Sequence, residues 1–385
     1  MRPRYRVTSQ VYCHPLGIAI ALPRVHEGWR TVLVVSGLLG ELMALPGVVS
    51  WPARVFVTGA SGFIGGRLVV ELVKRGCQVR ALARPTSLIP QTHDGQVEWV
   101  QGDLLDLESL RRGINGCDAV FHLAACARNW APQRDLFFRQ NVEGTRNVLT
   151  AAHAAGVRRL VCTSTIVTLG PTPPGKLADE STPRLTSRFF TEYEESKTQA
   201  ERESLAWAQR GLPVVIVNPT RVFGPGKLTE GNSVTLMIDQ YDRGRLPVLL
   251  NQGRNQGNYV FVEDLVQGHL LALERGRPGE RYILGGENVS LQQFFALVDA
   301  ATGRSHRQIN LPPSLALAFA HFEQLKAEWL GIHPKITPGW METFLTDWTY
   351  SSAKAQKELG YRITPLAEGI RLTCAWLRER QNNGP

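Results

Sequence analysis

Short apolar runs alternate with longer stretches of helical spacing from Arg54 onward. This alternation predicts parallel βαβ units, and hence an α/β fold with a doubly wound parallel sheet of the Rossmann type. The run Val214–Val217 is apolar on both faces, as expected of a strand buried in a parallel sheet. The predicted strands are Val55–Thr58, Gln78–Ala83, Val97–Gln101, Ala119–Leu123, Arg159–Ser164, Pro213–Asn218 and Arg281–Leu284. The predicted helices are Gly62–Arg75, Asp106–Ile114, Leu136–Ala155 and Tyr193–Gln209.

Three stretches interrupt this alternation and are rich in prolines, glycines and aromatic residues. They are Leu169–Phe190, Gly224–Asn258 and Leu311–Leu345. Ligands of open α/β sheets bind beyond the carboxyl ends of the strands, where such segments can fold over the sheet. We therefore expect a small, discontinuous substrate subdomain, mainly residues 224–258 and 286–385. The Rossmann core is expected mainly in residues 53–223 and 259–285, so that 53–385 form one unit.

Residues 1–52 precede the first predicted strand and are expected to be an extension outside the core. The part from Thr31 to Val49 is mostly apolar, but Glu41 and Pro46 interrupt it. A membrane span needs about 20 apolar residues with few charges, and a signal peptide needs a basic segment leading directly into an apolar one. The extension thus gives no firm membrane signal. It is expected to be poorly ordered, or not native if translation begins at Met43.

A glycine-rich turn follows the first predicted strand. Residues Thr58–Gly65 read T-G-A-S-G-F-I-G and lead into a helix. Gly59 permits the turn, Gly62 lets the backbone approach a phosphate, and Gly65 lets the helix pack closely on the strand. Free N–H groups and the positive end of the helix dipole would meet the anion there. This order predicts a dinucleotide-binding turn, although the spacing is G-x-x-G-x-x-G.

A tyrosine and a lysine share one face of the fourth predicted helix, because Tyr193 and Lys197 are four residues apart. The fifth predicted strand ends in hydroxyl residues that include Ser164 and Thr165. Together these side chains would form a proton-transfer set beside a hydride carrier. Tyrosine titrates near pKa 10, and we expect the Lys197 ammonium to lower the pKa of Tyr193.

The chain at this point resembles the extended short-chain dehydrogenase/reductase family, the NAD-dependent epimerases and dehydratases. The resemblance runs from about Arg54 to about Arg378. Within the family the chain is most similar to the dihydroflavonol-reductase-like branch, especially to bacterial hopanoid-associated sugar epimerases. The motifs that carry it include F-H-L-A-A (Phe121–Ala125), N-V-E-G-T-R-N-V-L (Asn141–Leu149), N-P-T-R-V-F-G-P-G (Asn218–Gly226) and G-E-R-Y-I-L-G-G-E-N (Gly279–Asn288).

The resemblance implies roles for individual residues. Tyr193 is implied as the acid/base, Lys197 as a ligand of the nicotinamide ribose, and Thr165, rather than Ser164, as the hydroxyl that holds the substrate oxygen. Asn141 is implied as either an active-site residue or a structural one. The implied cofactor-binding residues are Gly59, Ser61, Gly62, Phe63, Ile64, Gly65, Arg84, Asp103, Leu104, Ala124, Ala125, Asn141, Tyr193, Lys197, Pro219 and Val222.

Arg84 indicates which dinucleotide is bound. An acidic residue after the second Rossmann strand accepts hydrogen bonds from the 2′-hydroxyl of NAD, whereas an arginine accommodates the 2′-phosphate of NADP. Arg84 stands at this position, and Thr86 and Ser87 follow it. We therefore expect NADP, with NAD as the alternative.

Substrate contacts are indicated only by position and residue type. Arg128 and Trp130 follow the fourth strand at the expected edge, and Phe223 and Tyr259 are aromatic residues suited to an apolar pocket. Trp340 and Phe344 are further aromatic candidates for that pocket. Taken singly, each of these residues fits packing better than ligand contact.

Charge and cysteine content limit the remaining possibilities. The formal net charge is +9, but lysines and arginines are scattered, so a nucleic-acid partner is not indicated. The six cysteines form no C-x-x-C pair, and most are expected to be small buried residues of a cytoplasmic protein. No pattern indicates a metal site. The resemblance implies a homodimer.

These observations favour an NADP(H)-dependent oxidoreductase that interconverts a carbonyl and a secondary alcohol in a small-molecule substrate. One alternative is a nucleotide-sugar epimerase or dehydratase with tightly bound NAD(P). Its diphosphate could be bound by Arg221, Arg243, Arg245 and Arg254. Another alternative is a non-catalytic dinucleotide sensor, although such a sensor has no need of Tyr193 and Lys197.

Overall fold

The computed structural model describes residues 51–87, 89 and 95–382, together with two short strands nearer the N-terminus. Those strands, β1 (Val11–Cys13) and β2 (Ala19–Ala21), pair antiparallel. The chain divides into two compact units, Met1–Ser50 and Trp51–Pro385. Most of the residues on which the expectations for the N-terminal extension depend lie outside the described residues. The division into core and substrate subdomain stays a prediction.

The larger unit alternates strands and helices along its first half. Its strands are β3 (Arg54–Thr58), β4 (Gln78–Ala83), β5 (Val97–Gln101), β6 (Ala119–His122), β7 (Arg159–Thr163), β8 (Val214–Pro219), β9 (Arg221–Phe223), β10 (Val248–Leu250), β11 (Gln256–Phe261), β12 (Arg281–Leu284), β13 (Glu287–Ser290) and β14 (Ile309–Leu311). Its helices are α1 (Phe63–Lys74), α2 (Leu107–Ile114), α3 (Asp135–Phe138), α4 (Gly144–Ala154), α5 (Glu192–Gln209), α6 (Ser233–Asp242), α7 (Val262–Arg275), α8 (Leu291–Thr302), α9 (Pro313–Leu330), α10 (Pro338–Phe344), α11 (Ala353–Leu359) and α12 (Leu366–Asn382).

Seven of these strands form the central sheet, in the order β12-β8-β7-β6-β3-β4-β5. Every neighbouring pair is parallel, so the predicted Rossmann-type fold is confirmed. Alternate residues of β3 face opposite sides: Val55 and Val57 belong to one buried cluster and Phe56 to the other. The strand order reverses between β3 and β6, which is where open α/β sheets bind ligands.

The prediction of one continuous helix is wrong at one place. The segment predicted as a single helix from Leu136 to Ala155 consists of α3, a π-helical turn at Arg139–Glu143 and α4. Asn141 lies in that turn and bonds to groups on other elements, as described below. Single π turns of this kind are frequent at functional sites. The groups that bond Asn141 are distant along the chain, so helical spacing alone did not reveal the interruption.

A second layer of structure covers the carboxyl ends of the central sheet's later strands. Its three-stranded sheet has the order β13-β11-β9, and a separate parallel pair joins β10 to β14. A cluster of buried aromatic residues that includes Tyr259 and Phe294 fills the space between this sheet and its helices. Of the irregular-looking stretches, 224–258 contains α6 and 311–345 contains α9 and α10. No helix among the described residues is long and apolar enough to cross a membrane.

Candidate active site

Glycines occupy the two tightest points of the turn between β3 and α1. Gly59 has φ +77°, and a Cβ atom on it would lie 2.7 Å from the backbone nitrogen of Ala124. A Cβ atom on Gly65 would lie 2.1 Å from the Gly59 oxygen. Only glycine adopts this φ readily and avoids these contacts. The turn therefore has the close packing that a dinucleotide-binding turn requires.

Helix α1 begins without a side-chain cap. Its N-cap residue is Gly62, and its first turn contains no acidic residue. The first N–H groups of a helix have no partner inside the helix, and the helix dipole makes this end positive. Helix N-termini of this kind are ready-made anion sites. The turn and the helix end therefore fit the diphosphate of a dinucleotide.

A lysine that sequence reasoning missed lies beside this turn. The ammonium of Lys227 donates a hydrogen bond to the backbone oxygen of Ser61, at 2.8 Å. The loop that carries it packs on α1, because a Cβ atom on Gly226 would meet the Phe63 ring. Arg67 also donates to the Pro225 oxygen, at 2.9 Å. Lys227 thus brings a positive charge to the proposed phosphate site from a segment distant in sequence.

A buried histidine connects the strands beneath the turn. His122 Nδ1 lies 2.8 Å from the hydroxyl of Thr58, and Nε2 lies 2.9 Å from that of Thr145. The Thr58 oxygen also accepts a hydrogen bond from the backbone N–H of Ala124. Burial lowers the pKa of His122 to about 3, so the ring is neutral. This network fixes the ends of β3 and β6 against each other.

The structure brings Thr165, Tyr193 and Lys197 to the carboxyl end of β7. The Thr165 hydroxyl lies beside the Tyr193 phenol and interacts with it. The ammonium of Lys197 donates to the backbone oxygen of Thr163, at 2.9 Å. On the other side of the phenol, the Trp340 ring stacks on Tyr193 with centroids 6.3 Å apart. Trp340 comes from α10, far along the chain.

The expected effect of Lys197 on the Tyr193 phenol is wrong for this structure. Burial raises the pKa of Tyr193 to about 12, which outweighs the opposing effect of the Thr165 hydroxyl. Burial also lowers the pKa of Lys197 itself. The ammonium bonds the Thr163 carbonyl instead. Tyr193 is therefore a protonated phenol at neutral pH, suited to donate a proton.

Ser164 and Thr165, the two candidate hydroxyls, have different surroundings. Ser164 is buried, and its Oγ donates a 2.5 Å hydrogen bond to the carboxylate of Glu201. Thr168 and Asn218 donate to the same carboxylate oxygen, at 2.9 and 2.8 Å. Ser164 thus belongs to a buried polar network on the interior side of β7. Thr165 is the hydroxyl of this pair that meets Tyr193.

Thr163 is held on both sides, by Lys197 and by a histidine that sequence reasoning missed. Its hydroxyl lies 2.9 Å from Nε2 of buried His269, and Nδ1 of that ring lies 2.8 Å from the Leu265 oxygen. The carbonyl oxygen can only accept, so Nδ1 carries the proton and Nε2 accepts from Thr163. Burial lowers the pKa of His269 to about 4. A lone histidine in an apolar helix carries little sequence signal.

Asn141 holds the helix of Tyr193 from the π-helical turn. Its side-chain oxygen accepts from the backbone N–H of Cys126, at 2.7 Å, and its nitrogen donates to Ser196 Oγ, at 2.9 Å. Ser196 lies between Tyr193 and Lys197 on α5. Asn141 is also buried, so these contacts favour the structural interpretation of this residue.

The residues implied at the two ends of the cofactor lie at the expected strand ends. Arg84 is exposed just after β4, and Asp103 follows β5, which pairs with β4 through Ala83 and Gln101. Pro219 ends β8, and Val222 lies in β9. Arg84, Asp103 and Pro219 therefore lie at carboxyl ends of strands of the central sheet, whereas Val222 lies within a strand of the three-stranded sheet.

The four predicted substrate residues divide into two pairs. Arg128 is exposed, and Trp130 packs edge-on against His333, with ring centroids 5.5 Å apart. Phe223 and Tyr259 are buried in the aromatic cluster of the second layer. The Tyr259 ring stacks on Phe294 at 4.4 Å. This placement favours packing for Phe223 and Tyr259, whereas Arg128 and Trp130 lie where a ligand can reach them.

One cysteine lies close to this set, because Cys126 bonds Asn141 through its backbone N–H and lies near the Tyr193 phenol. Four described cysteines are buried and Cys126 is half-buried, and all five are free. No group of three or more His, Cys, Asp or Glu side chains among the described residues could hold a metal ion.

Comparison with known proteins decides the family. The sequence model of the NAD dependent epimerase/dehydratase family matches residues 55–285. The chain belongs to this family. It is accordingly an NAD(P)-dependent enzyme of the oxidoreductase and epimerase/dehydratase type, as the glycine turn and the Tyr193–Lys197 pair predicted.

Two curated relatives of this chain are named as a reductase and a dehydrogenase. The "Putative dihydroflavonol 4-reductase" of Synechocystis sp. is 35% identical over 333 residues, covering 86% of this chain and 95% of the relative. The 3 beta-hydroxysteroid dehydrogenase/Delta 5-->4-isomerase of Mycobacterium tuberculosis is 31% identical over 324 residues, covering 80% and 85%.

Solved structures of the family share the fold. The crystal structure titled gox2253 is 36% identical, with a TM-score of 0.74, and covers 85% of this chain and 98% of that one. The UDP-glucose 4-epimerase of Thermus thermophilus, in complex with NAD, is 27% identical, with a TM-score of 0.67, and covers 84% and 99%. Reductases and epimerases are thus both similar to this chain.

Proposed function

We propose that this chain is an NADP(H)-dependent oxidoreductase that interconverts a carbonyl and a secondary alcohol. The position of the Thr165 hydroxyl beside the protonated Tyr193 phenol carries the proposal. A phenol that keeps its proton at neutral pH is matched to protonating the oxygen of a carbonyl as it is reduced. The direction supported best is therefore reduction.

The proposed proton step uses only groups at the end of β7 and on α5. The Thr165 hydroxyl would hold the substrate oxygen, and Tyr193 would transfer its phenol proton to that oxygen. Lys197 would stay fixed on the Thr163 carbonyl, one helical turn along α5 from Tyr193. A bound nicotinamide dinucleotide supplies the hydride to the carbonyl carbon. Trp340, stacked on Tyr193, would help to exclude water from the reacting atoms.

The dinucleotide would lie across the point where the strand order reverses. Its diphosphate would meet the N-terminus of α1 and Lys227, and Arg84 would bind the 2′-phosphate of NADP. Arg84 supports NADP over NAD because a guanidinium matches phosphate in a fork geometry. The proposed cofactor set remains the residues given under "Sequence analysis", with Lys227 added.

We propose an apolar ketone or alcohol as the substrate. Indole and imidazole rings of Trp130, His333 and Trp340 border the site, and one curated relative is named for a hydroxysteroid. Arg128 would contact a polar group on the substrate. A homodimer and a cytoplasmic location stay predictions, and light scattering of the full chain would test the first.

The nucleotide-sugar epimerase is the second candidate, since the similar structure from Thermus thermophilus is named a UDP-glucose 4-epimerase. Two of the arginines that could bind the diphosphate of a nucleotide-sugar already have other partners. Arg221 donates to the Tyr259 hydroxyl at 3.2 Å and packs beside the Phe344 ring, and Arg243 is paired with Asp239. These contacts favour the reductase.

A screen for NADPH consumption separates the two candidates. The full chain is incubated with NADPH and, in turn, with steroid ketones, long-chain aliphatic ketones and nucleotide-sugars. Stoichiometric loss of NADPH fluorescence with an apolar ketone supports the reductase, provided that Tyr193→Phe abolishes the loss. Conversion of a nucleotide-sugar to its epimer without net NADPH loss overturns it. Dinucleotide binding with no turnover on any substrate supports a sensor.

A further inference from the structure

Helix α9 has an inverted pattern of apolar residues. A surface helix normally turns its large apolar side chains toward the core and its polar ones toward water. In α9 the buried positions are Ala316, Ala320, Glu323 and Ala327. Leu317 packs beside them, and the other large apolar side chains lie on the outer side. The helix thus packs on the protein mainly through small residues and presents most of its bulky ones outward.

The outward side chains form one continuous surface, here named the α9 face. Its members lie at helical spacing and continue into the turn after the helix. Phe322 is 62% exposed, Leu330 is 67% exposed and Trp329 is 83% exposed. Contiguous apolar patches of this kind mark interaction sites. The α9 face consists of Leu315, Phe319, Phe322, Leu325, Trp329, Leu330 and Ile332.

The charges around the α9 face favour an anionic partner. Residues 301–336 contain four Lys or Arg residues and two Glu residues. Both glutamates are ion-paired, Glu323 with Lys326 and Glu328 with Arg134, and the basic Arg304 is paired with Asp242. Arg307 and Lys335 form no ion pair with other described residues. The border of the apolar surface is therefore positive.

This charge distribution distinguishes a lipid bilayer from a second copy of the chain. In a two-fold dimer the same patch meets itself, so the positive border would face an identical positive border. An anionic bilayer supplies opposite charge to the border and an apolar layer to Phe322 and Trp329. Interfacial helices combine leucine and aromatic residues with neighbouring basic residues in this way.

The α9 face adjoins the candidate active site through two chains of contacts. Glu328 of α9 pairs with Arg134, and Arg134 pairs with Glu192, the residue before Tyr193. Beyond the helix, His333 packs on Trp130. A surface that seats α9 would therefore lie beside the rim of the site.

We propose that the α9 face docks on the surface of an anionic lipid bilayer and places the site's rim against it. This inference rests on the proposed function. It implies that the substrate is a lipid ketone or alcohol dissolved in the bilayer. The helix would lie in the interface plane, because it is not a spanning helix. The substrate would pass from the bilayer to Tyr193 past Trp130 and His333 without crossing bulk water.

Vesicle flotation of the full chain tests the docking without requiring turnover. The vesicles contain equal parts of phosphatidylglycerol and phosphatidylcholine. The test variant is Phe322→Glu with Trp329→Glu, and the matched control is Leu177→Glu, which has the same 62% exposure on another element. We expect the double substitution to lower the fraction floated at least about tenfold. The control should float like wild type, and pure phosphatidylcholine should lower wild-type binding at least about fivefold.

Equal flotation of wild type and the double variant would overturn the proposal. So would absence of wild-type flotation combined with a molecular mass that falls to half in the double variant, because that result would assign the α9 face to a second copy. The double variant should reduce a small water-soluble ketone at the wild-type rate but turn over a vesicle-borne ketone at least about tenfold more slowly. If no ketone is reduced at all, the proposed function fails while flotation still decides the docking.

Discussion

The hydroxyl of Thr165 lies beside the phenol of Tyr193 at the carboxyl end of β7 and interacts with it. Tyr193 lies in helix α5 and Thr165 follows strand β7, so the two residues are far apart in the sequence. The neighbouring Ser164 instead donates to buried Glu201. Proton transfer and structural support are thus divided between adjacent hydroxyl residues, and this division leads to separate predictions.

Replacing Tyr193 by phenylalanine removes the proton donor and keeps the ring that stacks on Trp340. We expect kcat for ketone reduction to fall by about 10²- to 10⁴-fold, the usual contribution of a general acid. Dinucleotide affinity, measured by fluorescence titration, should change little. A variant that keeps more than about a tenth of the wild-type rate would show that another group donates the proton.

Thr165 and Ser164 should respond differently to loss of their hydroxyls. Thr165→Val should lower kcat by about 10²-fold with little effect on stability, and Thr165→Ser should restore much of the rate. Ser164→Ala leaves the Glu201 carboxylate with one donor fewer and should lower the free energy of unfolding by about 1–3 kcal/mol. Urea unfolding and kcat, measured on all three variants, check both effects. A larger rate loss in Ser164→Ala than in Thr165→Val would reverse the assignment.

The pH profile should follow the raised pKa of Tyr193, about 12. Reduction requires the protonated phenol, and the phenol ionises only well above pH 9. The kcat for reduction should therefore stay level from about pH 6 to pH 9. Oxidation of the alcohol requires the phenolate and should accelerate with each pH unit over the same range. Initial rates in both directions check this. A reduction rate that falls with an apparent pKa near 7 would contradict it.

Arg84→Asp should reverse or erase the preference for NADPH over NADH. A charge-assisted hydrogen bond contributes about 1.5–3 kcal/mol, which is about 10- to 150-fold in affinity. Arg210→Asp, at the opposite end of α5 from Tyr193, makes the same charge change and serves as the control. Titrations with both dinucleotides give the four dissociation constants. Equal affinities of the wild-type chain for NADPH and NADH would contradict the assignment of NADP as the cofactor.

Stability should decline in mild acid because of two buried neutral histidines. The pKa of His122 is lowered to about 3 and that of His269 to about 4, whereas an unfolded histidine titrates near 6.5. The unfolded chain therefore binds more protons below pH 6.5, and the stability present above that pH is lost as pH falls. Each histidine should remove about 1.4 kcal/mol per pH unit between about pH 6 and pH 5. Urea unfolding across this range should show a smaller slope in His269→Asn, and an unchanged slope would remove His269 from this account.

Sequence alone determined the features that depend on local order along the chain. Alternating apolar runs and helices predicted the Rossmann-type sheet, because each βαβ unit is built from consecutive residues. The glycine turn and the pair of Tyr193 and Lys197 indicated the enzyme family, since their spacing is set within one turn or one helix.

Tertiary structure decided whatever depends on contacts between distant segments. The pKa of Tyr193 is raised because packing buries the phenol, and Lys197 bonds Thr163, which spacing along α5 did not reveal. Ser164 and Thr165 meet different residues of α5, Glu201 and Tyr193, and Lys227, His122 and Trp340 reach the site from remote elements. The outward position of Phe322 and Trp329 likewise follows from which side of α9 packs on the protein.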